Sequence, residues 1–469
     1  MKPPPPLSLK FSGGTDEVTG SRHLLETPSA KVLLDCGMFQ GHRREAIEKN
    51  RKFLFDPKTI NSVLLSHAHI DHSGTLPLLM RNGYDGPIHC THITGEITSV
   101  MLMDSARLQV EDAKFFNKIH RDDGESIEPL YDEDDARRAI DRLVGHEYGE
   151  TFPLADGMKA RFWDAGHVLG SAFVEVAADT PKGLRRVLFT GDMGRGKNIL
   201  LNAPETPKAV DYLIMESTYG SRRHAPLEQA ESDLAKAING AVADKGKILI
   251  PSFALERTQE IVFLLKKLRR QGKIPDIPFY VDSPMATRIT EIFNRHHDEF
   301  AEHVQDEIRE HGDPFGLESI RYVASAEESK MLNDRPGPMI ILSASGMCEG
   351  GRILHHLRNN IDKPNALILI VGFQAEGTLG RQLTLGTGKV KIFGLRHDVM
   401  ARVQHLRSFS AHADRDDLVQ FAARLSPRPR RIFLVHGDDA NRSKLLELLK
   451  AQGIDRVEIP HYGDTHALE

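Results

Sequence analysis

The pattern of hydrophobic and polar positions changes character twice along the chain. Short apolar or alternating runs at Leu7–Phe11, Ser21–Glu26 and Lys31–Leu34, separated by Gly13-Gly14 and Thr27–Ala30, predict a meander of strands. Ser62–Leu65 is a further strand, leading directly into His67-Ala68-His69-Ile70-Asp71-His72. From Thr94 to about Leu143 the period becomes helical, with an acidic break at Tyr131–Asp135 that suits a helix cap. Strand texture returns at Lys159–Asp164, Ala172–Ala177, Arg186–Thr190 and Tyr212–Met215.

Beyond Glu216 strands and helices alternate. Leu227–Ala243, Glu256–Arg270 and Ala286–His311 read as helical, and Lys247–Ile250, Phe279–Val281, Met339–Leu342 and Ala366–Val371 as strands. That alternation predicts an α/β layer on a parallel sheet. The tail adds a strand at Arg431–Val435 and a helix at Asn441–Gln452.

Composition narrows the class. Of 469 residues 40% are hydrophobic and 27% charged, which excludes a disordered chain, a collagenous fibre and a disulfide scaffold. The length accommodates two or three domains of roughly 150 residues. With 61 Lys+Arg against 66 Asp+Glu, a net charge of −5 means a nucleic-acid partner would need a local patch. The 23 His beside 3 Cys direct any metal chemistry to imidazole and carboxylate. The Pro-rich start, Met1–Pro6, offers no signal sequence. The longest apolar run, around Ala366–Phe373, is far short of a bilayer span. A cytoplasmic protein without a membrane partner is expected.

Four metal-competent side chains within His67-x-His69-x-Asp71-His72, directly after a strand, form the strongest chemical signal. His67 and His69 can face one ion while Asp71 and His72 turn toward a second. His167 and Asp192 each follow a strand and a glycine, and Ser410–Asp414 and Leu434–Asp438 carry His412 and His436 in similar settings. Each of these is weak alone, and the repeated layout gives them weight.

The ordered set Asp35, His67-x-His69-x-Asp71-His72, His167 and Asp192 resembles the metallo-β-lactamase superfamily. Glu216, His412 and His436 resemble three further motifs of the β-CASP nucleases. The resemblance continues through Glu216–Gly220, Pro251–Ala254, Asp282–Ala286, Ser343–Arg352 and Gly372–Gly380. It is closer to the pre-mRNA 3′-end cleavage endonuclease and its bacterial and archaeal relatives than to ribonuclease J.

The resemblance implies a four-layer αββα domain built from residues 1–215 and 403–469. An α/β domain with a parallel sheet, residues 216–402, would be inserted, and the site would lie in the cleft where the two meet. It implies that His67, His69 and His167 hold one zinc, that Asp71, His72 and His436 hold a second, and that Asp192 bridges them. Manganese suits the same donors. Asp35 would orient the site, and Glu216 and His412 would pair beside it, His412 stabilising or protonating the leaving oxygen.

Two such ions can generate a bridging hydroxide and neutralise a phosphodiester. The expected function is therefore a dinuclear zinc ribonuclease, acting as an endonuclease, a 5′–3′ exonuclease or both. His436 favours RNA, because related DNA-repair nucleases usually lack a histidine there. The alternatives are a DNA nuclease, a small-molecule hydrolase on the same fold, or a non-catalytic RNA-processing scaffold subunit. Single-stranded RNA is the expected partner, and a homodimer is left open.

Phosphate-gripping residues are sought in the inserted part. Ser343, Ser345, Gly346, Gly350, Gly351 and Arg352 form a glycine-rich loop before a helical stretch, with Arg257 and Arg223 as further cations. Tight turns without a ligand are the competing reading of that loop.

Overall fold

The computed structural model describes residues 7–41, 43–119, 126–316 and 320–468. The Pro-rich start and residues 120–125 of the expected helical stretch lie outside them. The chain divides into two compact units. One comprises Met1–Gly196, Ala203–Arg223 and His412–Glu469, the other Lys197–Asn202 and His224–Ala411.

The first unit holds two seven-stranded sheets. One runs in the order Thr465–Ala467, Ser8–Phe11, His23–Glu26, Lys31–Leu34, Ser62–Leu64, Ile88–Thr91, Leu143–His146. The other runs Val457–Glu458, Arg431–Val435, Tyr212–Glu216, Gly183–Phe189, Ala172–Thr180, Met158–Asp164, Thr151–Ala155. Alternation along each strand decides the layering. Leu9, Phe11, Val32 and Leu34 of the first sheet pack on Phe162, Val174, Val187, Ile214, Phe433 and Val435 of the second. Their neighbours face outward: Leu33, Val63 and Cys90 pack on Leu79, Leu102 and Ala136 of three helices. On the far side Leu188, Leu213, Met215 and Leu434 pack on Leu418, Phe421, Leu445 and Leu449 of helices Arg415–Arg424 and Asp439–Ala451. Helix, sheet, sheet and helix make the expected four layers.

The second unit is built on a six-stranded parallel sheet, ordered Arg321–Tyr322, Phe279–Val281, Met339–Ser343, Lys247–Pro251, Leu367–Ile370, Arg402–His405. Leu249, Ile341, Ile368 and Ile370 pack on Ile353 and Leu357 of helix Arg352–Asn360. A separate hairpin, Lys389–Ile392 with Leu395–Asp398, packs Val390 and Ile392 into the same core.

The main chain passes from the first unit to the second after Arg223 and returns at His412. Tyr212–Glu216 is a strand of the first unit's sheet, and Arg402–His405 pairs with Leu367–Ile370 in the second's. The long helical stretch resolves into helices His92–Ile119 and Glu133–Ile140, with Asp132 capping the latter, and ends in a strand, Leu143–His146, that the sequence reading missed. That strand carries a glycine and an exposed Val144, so no apolar run announces it. Ala286–His311 is interrupted by a short 3-10 turn at His297–Glu299.

Candidate metal centre

The centre lies within the first unit, at the carboxyl ends of strands from both sheets. Lys31–Leu34 is parallel to Ser62–Leu64, and Tyr212–Glu216 is parallel to both Gly183–Phe189 and Arg431–Val435. Residues just past those strands, Asp35, His67, Asp192 and His436, therefore emerge along shared edges, with Glu216 as the last strand residue. Several leave by sharp left-handed turns: φ is 58° at Asp35, 50° at Gly191 and 52° at His436. At Gly191 a Cβ would come within 2.5 Å of Ser66 Oγ, so only glycine lets Asp192 approach the His67 loop. The left-handed turn at His436 is held by its N–H, which donates to Gly14 O at 2.7 Å.

Two donor sets converge. His67, His69, His167 and Asp192 each offer an atom within 4.8 Å of the others, and so do Asp71, His72 and His436. The carboxylate of Asp192 faces both. Its Oδ2 lies 3.4 Å from Nε2 of His67 and 3.4 Å from Nε2 of His167. Its Oδ1 lies 3.2 Å from Nε2 of His72 and 3.3 Å from Nδ1 of His436. His436 Nε2 also stands 3.6 Å from Asp71 Oδ2.

The chemistry of these donors fits metal ions. Both ring nitrogens of His167 and Oδ1 of Asp192 are buried without a hydrogen-bond partner among the described residues, an arrangement that costs free energy unless a cation satisfies it. Burial, reinforced by neighbouring histidines, pushes His67 down to about 3, and burial pushes His69 to about 4; His167 also falls well below the usual range. Those three imidazoles are neutral at pH 7, the form that ligates. Burial would raise the carboxyl of Asp192, but His436, His72 and His412 hold it well below the ordinary value. Burial opposes charge on His72 too, yet Asp192 and Asp35 carry it well above an ordinary histidine.

A supporting shell fixes the rings. Asp35 accepts from Ser66 N at 2.8 Å, from Ser66 Oγ at 2.9 Å and from His72 Nδ1 at 2.6 Å. Ser66 Oγ also lies 3.0 Å from His67 Nδ1, and Thr218 Oγ1 lies 3.1 Å from His436 Nδ1. Sequence reasoning found Asp35 and missed Ser66 and Thr218. Both adjoin quoted motifs, one preceding His67 and the other within Glu216–Gly220, and a search for hydroxyls beside ligands would have found them.

The structure pairs Glu216 with His412. Nδ1 of His412 lies 3.1 and 3.3 Å from the two carboxylate oxygens, and its Nε2 is 3.9 Å from Asp192 Oδ2. Ala413 N donates to Met193 O at 2.7 Å and holds the loop there. Glu216 also accepts from Met193 N at 2.6 Å. Burial would lower His412, but Glu216 and Asp192 outweigh it and push the ring up to about 9.

The phosphate-gripping candidates have local partners of their own. Arg223 is exposed and donates to Asp416 at 2.6 Å. Arg257 is buried against Glu260, with its guanidinium over Phe409. Ser343 Oγ donates to Asp282 O at 2.8 Å, and Ser345 Oγ accepts from the N–H groups of Glu349 and Gly350. A Cβ at Gly346 would meet Phe253, and one at Gly351 would meet Ala344 O. Arg352 donates to Asp282 Oδ1 at 2.6 Å, Val323 O at 3.1 Å and Ala324 O at 2.9 Å. This loop thus closes on itself and on its own unit, as a tight turn does.

The four layers and the clustered His/Asp donors define a metal-dependent hydrolase of the metallo-β-lactamase type. Residues 18–229 match the metallo-β-lactamase superfamily, 258–383 the β-CASP domain, and 396–460 the zinc-dependent metallo-hydrolase RNA specificity domain. Ribonuclease TTHA0252 of Thermus thermophilus is 37% identical over 96% of this chain and 98% of its own. Transcription termination factor FttA of Methanosarcina mazei is 31% identical over 91% of this chain and 66% of its own. An RNase J-like protein of Methanocaldococcus jannaschii is 31% identical over 92% of each chain. A crystal structure of an Enterococcus faecalis protein of unknown function shares the fold, with a TM-score of 0.54 at 14% identity over 98% of this chain and 100% of that one. The chain belongs to the β-CASP ribonucleases of the metallo-β-lactamase superfamily, and is accordingly a metal-dependent hydrolase. Among the described residues no helix is long and apolar enough to cross a membrane.

Proposed function

We propose that this chain hydrolyses phosphodiester bonds of single-stranded RNA with two zinc ions. One observation carries the reading: the two oxygens of Asp192 divide between two histidine-rich donor sets. His67, His69 and His167 would hold one ion, Asp71, His72 and His436 the other, and Asp192 both. Bound there, the pair would supply an acidified water and charge neutralisation for the anionic phosphodiester.

The chain's own groups do the rest. Asp35 and Thr218 hold the rings of His72 and His436. Glu216 keeps a proton on His412, whose Nε2 is directed toward Asp192 Oδ2 and can pass a proton to the departing oxygen. Ribonuclease TTHA0252, similar over nearly its whole length, supports RNA as the substrate.

The test incubates wild type and His436→Ala with end-labelled single-stranded RNA and the matching DNA, alongside metal analysis of both proteins. Wild type should contain two zinc ions per chain and cleave RNA faster, and the variant should lose activity and one ion. Preferential DNA cleavage would overturn the substrate, and near-zero metal in active wild type would overturn the mechanism.

A further inference from the structure

In the hairpin Lys389–Asp398, Ile392 stands opposite Leu395, so the connection is the dipeptide Phe393-Gly394. Its φ values are 51° and 79°. Positive φ at both positions marks a type I′ turn, whose first position normally takes Asn, Asp or Gly. A bulky aromatic held in left-handed backbone is an outlier, and such outliers gather at functional sites. The Phe393 residue is 51% exposed at the hairpin tip. The His355 ring lies 4.7 Å away, and the Arg358 guanidinium lies 5.7 Å from the Phe393 centroid.

The hairpin has two unlike faces. Val390 and Ile392 are buried in the core of the inserted unit, so Lys389 and Lys391 face the other way. Lys391 stands directly opposite Arg396, a like-charge cross-strand pair that destabilises a hairpin. Lys389 is paired with Asp398, the hairpin's single acid. Lys391, Arg396 and Arg358 make no ion pair among the described residues. An exposed ring flanked by uncompensated cations matches what binds a single strand, where bases stack on aromatic faces and phosphates meet basic groups.

We propose that this hairpin, with His355 and Arg358, is a second contact for single-stranded RNA, distinct from the metal centre. One base stacks on Phe393, and neighbouring phosphates lie against Lys391, Arg396 and Arg358. The inference rests on the ribonuclease reading for its ligand and adds a place and a mode of binding.

The test compares steady-state kinetics of the zinc-loaded full chain on a single-stranded RNA of roughly 16 nucleotides, on a dinucleotide and on bis(p-nitrophenyl) phosphate. Phe393→Ala should raise KM for the longer RNA by about fivefold or more with kcat unchanged, and Phe393→Trp should restore it. The Lys391→Glu/Arg396→Glu double variant should raise KM about tenfold and lessen the slope of log KM against log salt by roughly 1.4, two phosphates at about 0.7 each. Neither variant should alter the two small substrates. Unchanged KM on the longer RNA in both variants would overturn the proposal. So would a shift of sedimentation mass in the variants without a change in KM, which would assign the face to a second copy of the chain. Wild type that hydrolyses bis(p-nitrophenyl) phosphate but no RNA would instead remove the ribonuclease reading, and this contact with it.

Discussion

Nδ1 of His72 donates to Oδ2 of Asp35 at 2.6 Å, with both side chains buried. That contact decides which imidazole nitrogen is left for a metal: Nε2, the atom that faces Asp192 and His436. The carboxylate is itself fixed by Ser66 and Ser21, so His72 has one orientation available.

Asp35→Asn should therefore weaken metal binding without removing a ligand. A carboxamide imposes no tautomer on His72, and the expected loss is about 10- to 100-fold in affinity, confined to the set containing His72. Competition with a chromogenic chelator measures it. Two equally weakened sites would contradict the assignment of Asp35 to one ring.

Asp192→Asn should be more damaging than loss of any terminal donor. Its two oxygens serve both histidine sets, so both would lose their shared anion together, whereas His69→Ala touches one. Metal analysis after dialysis should find close to none in the first variant and partial occupancy in the second. Equal retention in both would refute a shared carboxylate.

Glu216→Gln and His412→Ala should each lower kcat by roughly 10²–10⁴-fold, and the double variant should fall little further. The two groups act as one unit because Glu216 touches the ring nitrogen remote from Asp192. Zinc content should be unchanged in His412→Ala. Loss of metal there would make His412 a ligand and not a proton donor.

The centre was legible because its donors sit in contiguous motifs or just past apolar strands, where pattern and chemistry coincide. His67–His72 announces itself, and Asp192 and His436 follow strands that alternate cleanly between the two cores. The short half-exposed strands were not legible, Leu143–His146 and Lys389–Asp398 among them, because no apolar run distinguishes them from loop. Nor could sequence show that Arg352 is committed to Asp282, since the partners are 70 residues apart and each motif looks like a ligand loop when read alone.

That last pairing predicts how the inserted unit responds to acid. Asp282 is fully buried and accepts from His356 Nε2 at 2.6 Å, Ser329 Oγ at 2.5 Å and Arg352 Nη1 at 2.6 Å. Burial raises its carboxyl, but the hydrogen bonds of His356, Ser329 and Arg352 prevail and hold it below the ordinary value. A carboxyl depressed on folding contributes stability that is fully present above its unfolded pKa, about 3.9, and is lost as pH falls through the folded value. Asp282→Asn leaves Arg352 and His356 facing a neutral group and should destabilise the unit by about 3–5 kcal/mol at pH 7. As pH falls below about 3.9 the unfolded carboxyl takes up a proton that the folded one resists, so the gap between the two proteins should narrow. Urea unfolding of both across pH 2–7 measures this, and a gap that stays constant down to the lowest pH would show that folding does not depress the Asp282 carboxyl.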